Sequence, residues 1–446
     1  MSARAAAPIS KPDGRALGRV GFGAILETVD ELIIGVLGSL VICGIAHATD
    51  GYFFTGYGTQ SNGIAGAGVA YSMDALAIAN NPAAAFGLGD RNDVAIDIVL
   101  ADRHVSLTGN ALGPDQTFSG NGGGPIPLGG PIPLLELGLT RRLSDKWSLG
   151  VALYENGVLT DYKSNPFARF GGSGPGGATL IQAIVSPTVA YEIVPDQTVG
   201  IGVDIVDQLF QVRGIQPFSQ NSANAANFSN TGSDWALGYG VKIGYLGKLT
   251  PSLSLAAFYQ SRTHGQKLGS YSGLLVGGGT FDVPATYGVG VAIKATERLD
   301  LIADVHKIEY GKVPATANTL NLLFRGNEFG TADGPGFGWR NVTTVKIGAN
   351  YRVDSALQVR AGWGYLTNPI PRSQTLLSTL APAVVRNHFT VGTTWTRPSG
   401  SELSTYMLYA PKTTVKGSGS IPAAFGGGEA NISLSEIVFG IGLGWR

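Results

Sequence analysis

Apolar and polar residues alternate along most of the chain after residue 90. In one clear segment every second residue is apolar and the residues between are small or polar; the apolar ones are Phe281, Val283, Ala285, Tyr287, Val289, Val291 and Ile293. Because successive residues of a β-strand point to opposite faces, such a segment has one apolar face. The same alternation occupies residues 181–193, 345–352 and 437–445. The pattern predicts an all-β fold.

Short turn sequences recur roughly every 50 residues, at 144–146, 195–197, 250–252, 296–298, 353–355 and 398–400. Between consecutive turns lie one strand, a long loop and a returning strand. The layout predicts fourteen antiparallel strands at 91–104, 131–143, 147–158, 180–194, 198–212, 234–248, 252–264, 281–295, 298–310, 340–352, 355–366, 387–397, 401–410 and 431–446. The predicted long loops include 105–130, 213–233, 311–339 and 411–430. Short turns on one rim and long loops on the other are typical of an outer-membrane β-barrel.

The composition suits a wall that faces lipid. Charged residues make up 14% of the chain, below the roughly 25% of soluble proteins. The formal net charge is zero, so electrostatics gives no reason to expect nucleic acid as a partner. Twelve aromatic residues near predicted strand ends are candidates for membrane-interface girdles: Tyr154, Tyr162, Trp235, Tyr239, Tyr259, Tyr287, Tyr310, Trp339, Trp363, Tyr365, Trp395 and Tyr406.

The N-terminus carries a predicted signal peptide. Its apolar run, residues 32–46, is shorter than the 18 or more residues that a membrane-spanning helix needs. An A-x-A cleavage sequence at 46–48 follows it, which predicts a signal peptide over residues 1–48. The one cysteine, Cys43, lies inside this segment, so the mature chain has no disulfide or cysteine-bound metal. We expect no metal or other cofactor.

Residues 51–86, between this signal and the first strand, are rich in glycine and too few to form a core of their own. They have to pack inside something larger. The predicted organisation is therefore a plug at residues 49–90, here called the hatch, and a transmembrane barrel at residues 91–446.

Several motifs resemble the FadL/TodX family of outer-membrane transporters for long-chain fatty acids and other hydrophobic compounds. In the hatch they are Gly66-Ala67-Gly68-Val69-Ala70, Asp74-Ala75 and Asn81-Pro82-Ala83; in the barrel they are Trp147 to Ala152 followed by Asn156-Gly157, Asp282 to Thr286, and Arg360 to Tyr365. The ordered set covers nearly the whole mature chain. The C-terminus departs from the family, because the chain ends on Trp445-Arg446 where phenylalanine is usual. The resemblance implies an integral barrel of a Gram-negative outer membrane.

Two motifs are candidates for a gate. Asn81-Pro82-Ala83 forms a fixed turn or an ordinary loop, because proline after asparagine breaks regular structure. Asn156-Gly157 marks either a kink within the predicted third strand or the end of that strand. The resemblance implies that the first motif lies in the hatch near an inward kink of the third strand. We expect the two motifs to pack side by side and control a lateral exit into the membrane.

Candidate ligand contacts are aromatic or basic. Tyr52, Phe53 and Phe54 stand at the start of the mature chain, where they either pack the hatch or, as the resemblance implies, reach a ligand pocket. Arg213 and Lys307, with Lys267 as a further candidate, lie near outer strand ends, where a lumen-facing base would bind a carboxylate. The alternative is that they are solvated loop residues.

The predicted function is passive, ligand-gated uptake of fatty acids or aromatic hydrocarbons by a monomer that also contacts outer-membrane lipids and the barrel-assembly machinery. A general porin and, as a third possibility, a barrel phospholipase remain alternatives. The G-x-G-x-x-G spacing of Gly172, Gly174 and Gly177 opens no plausible helix, so it does not predict a nucleotide site. We therefore expect no enzymatic activity.

Overall fold

The computed structural model describes residues 50–110, 117–125, 132–162 and 164–446. The predicted signal peptide lies outside these residues. The strands are β1 (Arg91–Asn110), β2 (Thr117–Pro125), β3 (Ile132–Arg142), β4 (Trp147–Tyr162), β5 (Gly176–Val194), β6 (Gln197–Arg213), β7 (Asp234–Thr250), β8 (Leu253–Gln260), β9 (His264–Gly265), β10 (Thr286–Lys294), β11 (Leu299–Ile308), β12 (Val342–Arg352), β13 (Leu357–Leu366), β14 (Asn387–Thr396), β15 (Glu402–Val415) and β16 (Glu429–Trp445).

Fourteen of these strands form a closed antiparallel barrel, which confirms the predicted fold. Neighbours in the chain pair with one another, and β16 pairs with β1 along residues 92–108 to close the wall. The remaining two strands are accessory: β2 pairs only with the outer half of β1, and the two-residue β9 pairs with β7.

The two faces of the wall differ as the alternation predicts. Large apolar side chains are exposed on the outside, among them Ile96, Ile201, Val289, Ile347 and Phe439. Small and polar residues line the inside, where the hatch packs. The predicted girdle residues divide between the two environments. Exposed are Trp235, Tyr239, Tyr259, Tyr287, Trp363 and Trp395; buried are Tyr154, Tyr162, Tyr310, Trp339 and Tyr406; Tyr365 is half-buried.

Several predicted strand boundaries are wrong, and two of these errors concern whole segments. The region predicted as the loop 105–130 contains the end of β1 and all of β2. The predicted strand at 281–295 begins only at Thr286, and residues 281–285 lie buried before it. Pro284 explains the second difference, because proline has no N–H to donate to a strand partner.

The hatch lies in the lumen and touches the inner face on many sides. It contains the helices Thr59–Asn62 and Ala77–Asn80 and the 3-10 helix Pro82–Ala85. Wall glycines allow the close approach: a Cβ on Gly200 would lie 2.3 Å from the carbonyl carbon of Pro82, and one on Gly362 would lie 2.3 Å from that of Ile64.

The helical segments in the described parts of the loops are short. They are Ala168–Phe170, Gln216–Asn221, Ala225–Asn227, Gly269–Tyr271, Val276–Gly279, Tyr310–Lys312, Pro314–Ala317, Leu320–Arg325, Arg372–Gln374, Thr375–Ser378 and Ala423–Phe425. Within the described part of the chain, no helix has the length and apolar character needed to cross a membrane.

Candidate functional site

The hydrogen-bonded ladder between β3 and β4 stops half-way up the wall. β4 pairs with β5 from Trp147 to Tyr162, but with β3 only from Ser148 to Leu153. All residues of β4 from 152 to 157 are buried, so exposed and buried positions no longer alternate there. Gly157 has a φ of 153°, which a residue with a Cβ rarely adopts. The third wall strand therefore keeps its pairing with β5 but loses β3 as a partner after Leu153, shortly before Asn156-Gly157.

The hatch supplies hydrogen bonds where β3 does not. The N–H of Gly157 donates to the carbonyl oxygen of Tyr52 at 2.9 Å. The Oδ1 of Asn156 accepts from the N–H of Phe54 at 3.1 Å and from the hydroxyl of Tyr57 at 2.7 Å. Residues 52–57 thus take the place of a wall partner, and they bring the predicted aromatic and strand motifs together.

Aromatic rings surround Tyr52. Its ring centroid lies 5.0 Å from that of Tyr310, and 6.1 Å from those of both Phe281 and Trp339. The ring of Phe53 lies 5.4 Å from that of Tyr52 and 5.8 Å from that of Tyr310. Sequence reasoning predicted Tyr52 and Phe53 as candidate contacts but missed their partners, which lie more than 200 positions away in the chain.

The hydroxyl of Tyr310 holds the start of the hatch. It accepts from the N–H groups of Tyr52 and Phe53 at 3.0 and 3.3 Å. It also donates to the carbonyl oxygen of Asp50 at 2.8 Å. One side chain thus fixes three backbone groups of the hatch between Asp50 and Phe53, close to the part of β4 that lacks a β3 partner.

A buried ion pair anchors the same segment. The Nζ of Lys346 lies 2.9 Å from Oδ2 of Asp50, and both side chains are about 4% exposed. Lys346 also donates to the carbonyl oxygen of Thr55. The alternation of β12 places Lys346 on the lumen face, but nothing local in the sequence identifies Asp50 as its partner.

Asn81-Pro82-Ala83 lies elsewhere in the lumen. The Nδ2 of Asn81 donates to the carbonyl oxygens of Val69 and Tyr245 at 3.0 and 3.1 Å, and its Oδ1 accepts from the N–H of Ala83 at 3.0 Å. The motif faces β6 and β7, so the expectation that it packs directly beside Asn156-Gly157 is wrong. Asn81 also caps the 3-10 helix that follows it.

A lysine links the two motifs indirectly. The Nζ of Lys242 donates to the carbonyl oxygen of Ala79 at 2.9 Å and to the hydroxyl of Tyr154 at 2.8 Å. The ring of Tyr154 in turn lies 4.2 Å from that of Tyr57, which contacts Asn156. The pair of motifs is therefore connected through the hatch and β4 rather than by direct contact.

The predicted carboxylate-binding bases do not face the lumen. Lys307 shares the outer face of β11 with Leu301 and Val305, and its Nζ lies 3.3 Å from the hydroxyl of Thr343. Arg213 likewise lies on the outer side of β6, where it pairs with Asp161 at 3.3 Å. The expectation of a lumen-facing contact is wrong for both. Successive residues of a strand point to opposite faces, and both residues occupy positions whose side chains point outward. Lys267 is exposed in an outer loop.

The charged groups that do face the lumen or the hatch are mostly acidic. Burial, together with the carboxylate of Asp93, raises the pKa of Asp74 in the hatch to about 7. Among the described residues, no group of histidine and acidic side chains has an arrangement that could hold a metal ion.

A model of the family described as outer membrane protein transport protein (OMPP1/FadL/TodX) matches residues 40–405. The chain belongs to the OMPP1/FadL/TodX family. It is therefore an outer-membrane transport protein, and its exposed apolar wall agrees with that location. Comparison with curated protein sequences finds no significant match.

Solved structures share this family fold. The toluene transporter TodX of P. putida is 19% identical, with a TM-score of 0.64 over 88% of this chain and 99% of that one. A FadL homologue of Pseudomonas aeruginosa is 16% identical, with a TM-score of 0.60 over 90% and 99% of the two chains. The toluene transporter TbuX of Ralstonia pickettii is 16% identical, with a TM-score of 0.56 over 88% and 98%.

Proposed function

We propose that this protein takes up hydrophobic molecules, such as aromatic hydrocarbons or fatty acids, passively across the outer membrane and releases them sideways at β4. The observation that carries the proposal is the end of the β3–β4 ladder at Leu153, opposite an aromatic hatch segment. An apolar molecule that passes sideways into lipid avoids the unfavourable exposure to water that exit into the periplasm requires. The toluene-transporting relatives of the same fold add support.

The entry side of this route is a narrow apolar crevice under the outer loops. Its lining includes Leu274, Leu275, Phe329, Phe337, Leu377 and Leu380. Phe337 connects this space to the site, because its ring lies 6.3 Å from that of Trp339, which borders Tyr52. Cargo would move along these rings from the outer loops to the hatch.

Release then requires residues 50–57 to leave β4. When residues 50–57 leave, the rings of Tyr52 and Phe53 lose their apolar contacts. Cargo that takes the place of these rings would make similar apolar contacts and so compensate for the loss. The hydrogen bonds to Asn156 and Gly157 break during this step. The process runs down a concentration gradient, so it needs neither a nucleotide nor an ion gradient.

The test is the initial uptake rate of a radiolabelled alkylbenzene by cells that produce the protein. We expect Gly157→Val to reduce uptake severely, because valine favours a regular strand and does not tolerate the φ of Gly157. Ser355→Ala, in a distant short turn, should leave uptake unchanged, and both variants should show normal heat-modifiable gel mobility. Parental uptake by an assembled Gly157→Val protein would refute lateral release.

A further inference from the structure

The outward face of β15 changes from apolar to basic near its upper end, on the side of the long loops. Met407 and Tyr409 are exposed on the lipid-facing side of the strand. Beyond an irregularity in the pairing of β15 with β16, the exposed positions are Lys412, Thr414 and, just after the strand, Lys416. Basic residues directly beyond an exposed apolar and aromatic band lie at the height of lipid headgroups.

An arginine occupies the same rim two strands away. The guanidinium carbon of Arg386 lies 5.0 Å from the centroid of the Tyr365 ring, and the guanidinium donates to the Tyr365 hydroxyl. Tyr365 is on the outward face of β13, because it lies two positions after the exposed Trp363. The stacking on this ring holds a positive charge at the outer edge of the aromatic band.

A polar cleft between three outer loops continues the basic surface. Its polar lining consists of Arg340, Asn368, Arg372, Ser373 and Ser418, and both arginines are exposed. The Nε of Arg372 donates to the carbonyl oxygen of Lys416 at 3.0 Å, and the N–H of Ser418 donates to the carbonyl oxygen of Arg372 at 3.0 Å. These two hydrogen bonds join the cleft to the upper end of β15.

The bases of this surface, here called the basic rim, are Arg340, Arg372, Arg386, Lys412 and Lys416. None of them forms an ion pair with a carboxylate of the described residues. Several positive charges without nearby counter-charges repel one another, so an anion from outside the chain stabilises them.

Other charged groups at the upper ends of strands are already engaged. Asp102 on the outer face of β1 lies 2.9 Å from His104. The carboxylate of Glu429 accepts from the N–H groups of Gly419 and Ser420 at 2.9 and 3.3 Å. The basic rim thus remains the uncompensated part of the described outer edge.

We infer that the basic rim binds the phosphate groups of the glycolipid that forms the outer leaflet of this membrane. Lysine and arginine bind phosphate through charge-assisted hydrogen bonds, and the hydroxyls of Ser373 and Ser418 are further donors. A lipid whose phosphates lie on the rim has its acyl chains beside the exposed Met407 and Tyr409. One ligand therefore matches both parts of the surface, whereas an acidic protein would match only the charges.

The inference concerns the lipid around the barrel, so it does not depend on which cargo passes through the lumen. The experiment titrates the purified protein in a neutral detergent with diphosphoryl lipid A or with the same lipid after enzymatic removal of both phosphates. Bound lipid is measured by native mass spectrometry. We expect the phosphorylated form to bind at least tenfold more tightly.

Two variants locate the site. Lys412→Gln/Lys416→Gln should weaken binding of diphosphoryl lipid A about 25-fold, since each base near an anionic lipid contributes roughly a factor of five. Arg340→Gln, on a different loop, should weaken it about fivefold by the same reasoning. Heat-modifiable gel mobility should stay normal, because all three side chains are exposed.

The matched control is Lys146→Gln/Lys248→Gln, which removes two exposed lysines from the opposite, short-turn rim and should leave the affinity unchanged. Equal binding of the phosphorylated and dephosphorylated lipids would overturn the inference. So would parental affinity in both assembled rim variants, or an equal loss in the control, which would indicate a response to net charge alone.

Discussion

Removal of one hydroxyl group, in Tyr310→Phe, should loosen the start of the hatch without disturbing the barrel. The phenylalanine ring keeps the packing against Tyr52 and Trp339. The N–H groups of Tyr52 and Phe53, however, lose the acceptor that lies 3.0 and 3.3 Å away. Each buried polar group left without a partner costs about 1–3 kcal/mol.

We take about 1.5–3 kcal/mol for the pair, because both N–H groups share one acceptor and the longer hydrogen bond is the weaker. Since 1.4 kcal/mol is a factor of ten, the detached state of residues 50–57 should become roughly ten- to a hundredfold more populated. The assay is hydrogen exchange of the N-terminal peptide of the purified protein, followed by mass spectrometry. Its exchange should accelerate by that factor, while peptides from β12 to β14 exchange as before.

The matched control is Tyr409→Phe, which removes a hydroxyl from a lipid-facing residue of β15 that is 45% exposed. It should leave exchange of the hatch unchanged. If Tyr310→Phe exchanges like the parental protein throughout residues 50–57, the hydroxyl does not hold the hatch and the reasoning is refuted.

Three further outcomes follow from the packing of the hatch. Lys346→Met should destabilise the docked hatch by about 3–5 kcal/mol, because the buried carboxylate of Asp50 loses its partner at 2.9 Å and is left with the imidazole of His388 at 4.0 Å, and Lys346→Met/Asp50→Asn should recover most of the loss in a hydrogen-exchange measurement. The intact protein should conduct ions poorly in planar bilayers and deletion of residues 51–86 should raise conductance sharply, whereas a large steady conductance of the intact protein would favour a general porin. Gly362→Val should also raise conductance while gel mobility stays normal, because its Cβ would lie 2.3 Å from the carbonyl carbon of Ile64.

The strands of the barrel wall could be predicted from the sequence because each strand is defined by a pattern within a short segment of the chain. An alternation with a period of two residues fixes both the strand and its faces, and short turns separate neighbouring strands. The same rule would have excluded Lys307 as a lumen residue. Lys307 lies two positions after the apolar Val305, so the two side chains point to the same outer face. The prediction failed there because proximity to a strand end was considered without the direction of the side chain.

The contacts of the hatch could not be predicted in this way. Tyr52 and Tyr310 are 258 positions apart, and Thr55 and Lys346 are 291 positions apart. Such contacts depend on how the barrel closes and on the height at which each strand meets the hatch. The position of Asn81 shows the same limit, because its motif predicts a turn but not the wall strands that the turn faces.

The central claim is that residues 50–57 must leave β4 before cargo can pass. It can be tested with the cysteine pair Phe54→Cys/Asn156→Cys, because the N–H of Phe54 lies 3.1 Å from Asn156 Oδ1 and the only native cysteine, Cys43, precedes the described chain. A second pair, Ala65→Cys/Gly364→Cys, ties the body of the hatch to β13, where a Cβ on Gly364 would lie 3.7 Å from that of Ala65.

Uptake of a labelled alkylbenzene is measured in each double variant after oxidation and again after reduction, with the extent of cross-linking determined by mass spectrometry. We predict that the disulfide between positions 54 and 156 stops uptake and that reduction restores it, whereas the disulfide between positions 65 and 364 has little effect. Undiminished uptake by fully cross-linked Phe54→Cys/Asn156→Cys protein would contradict the account.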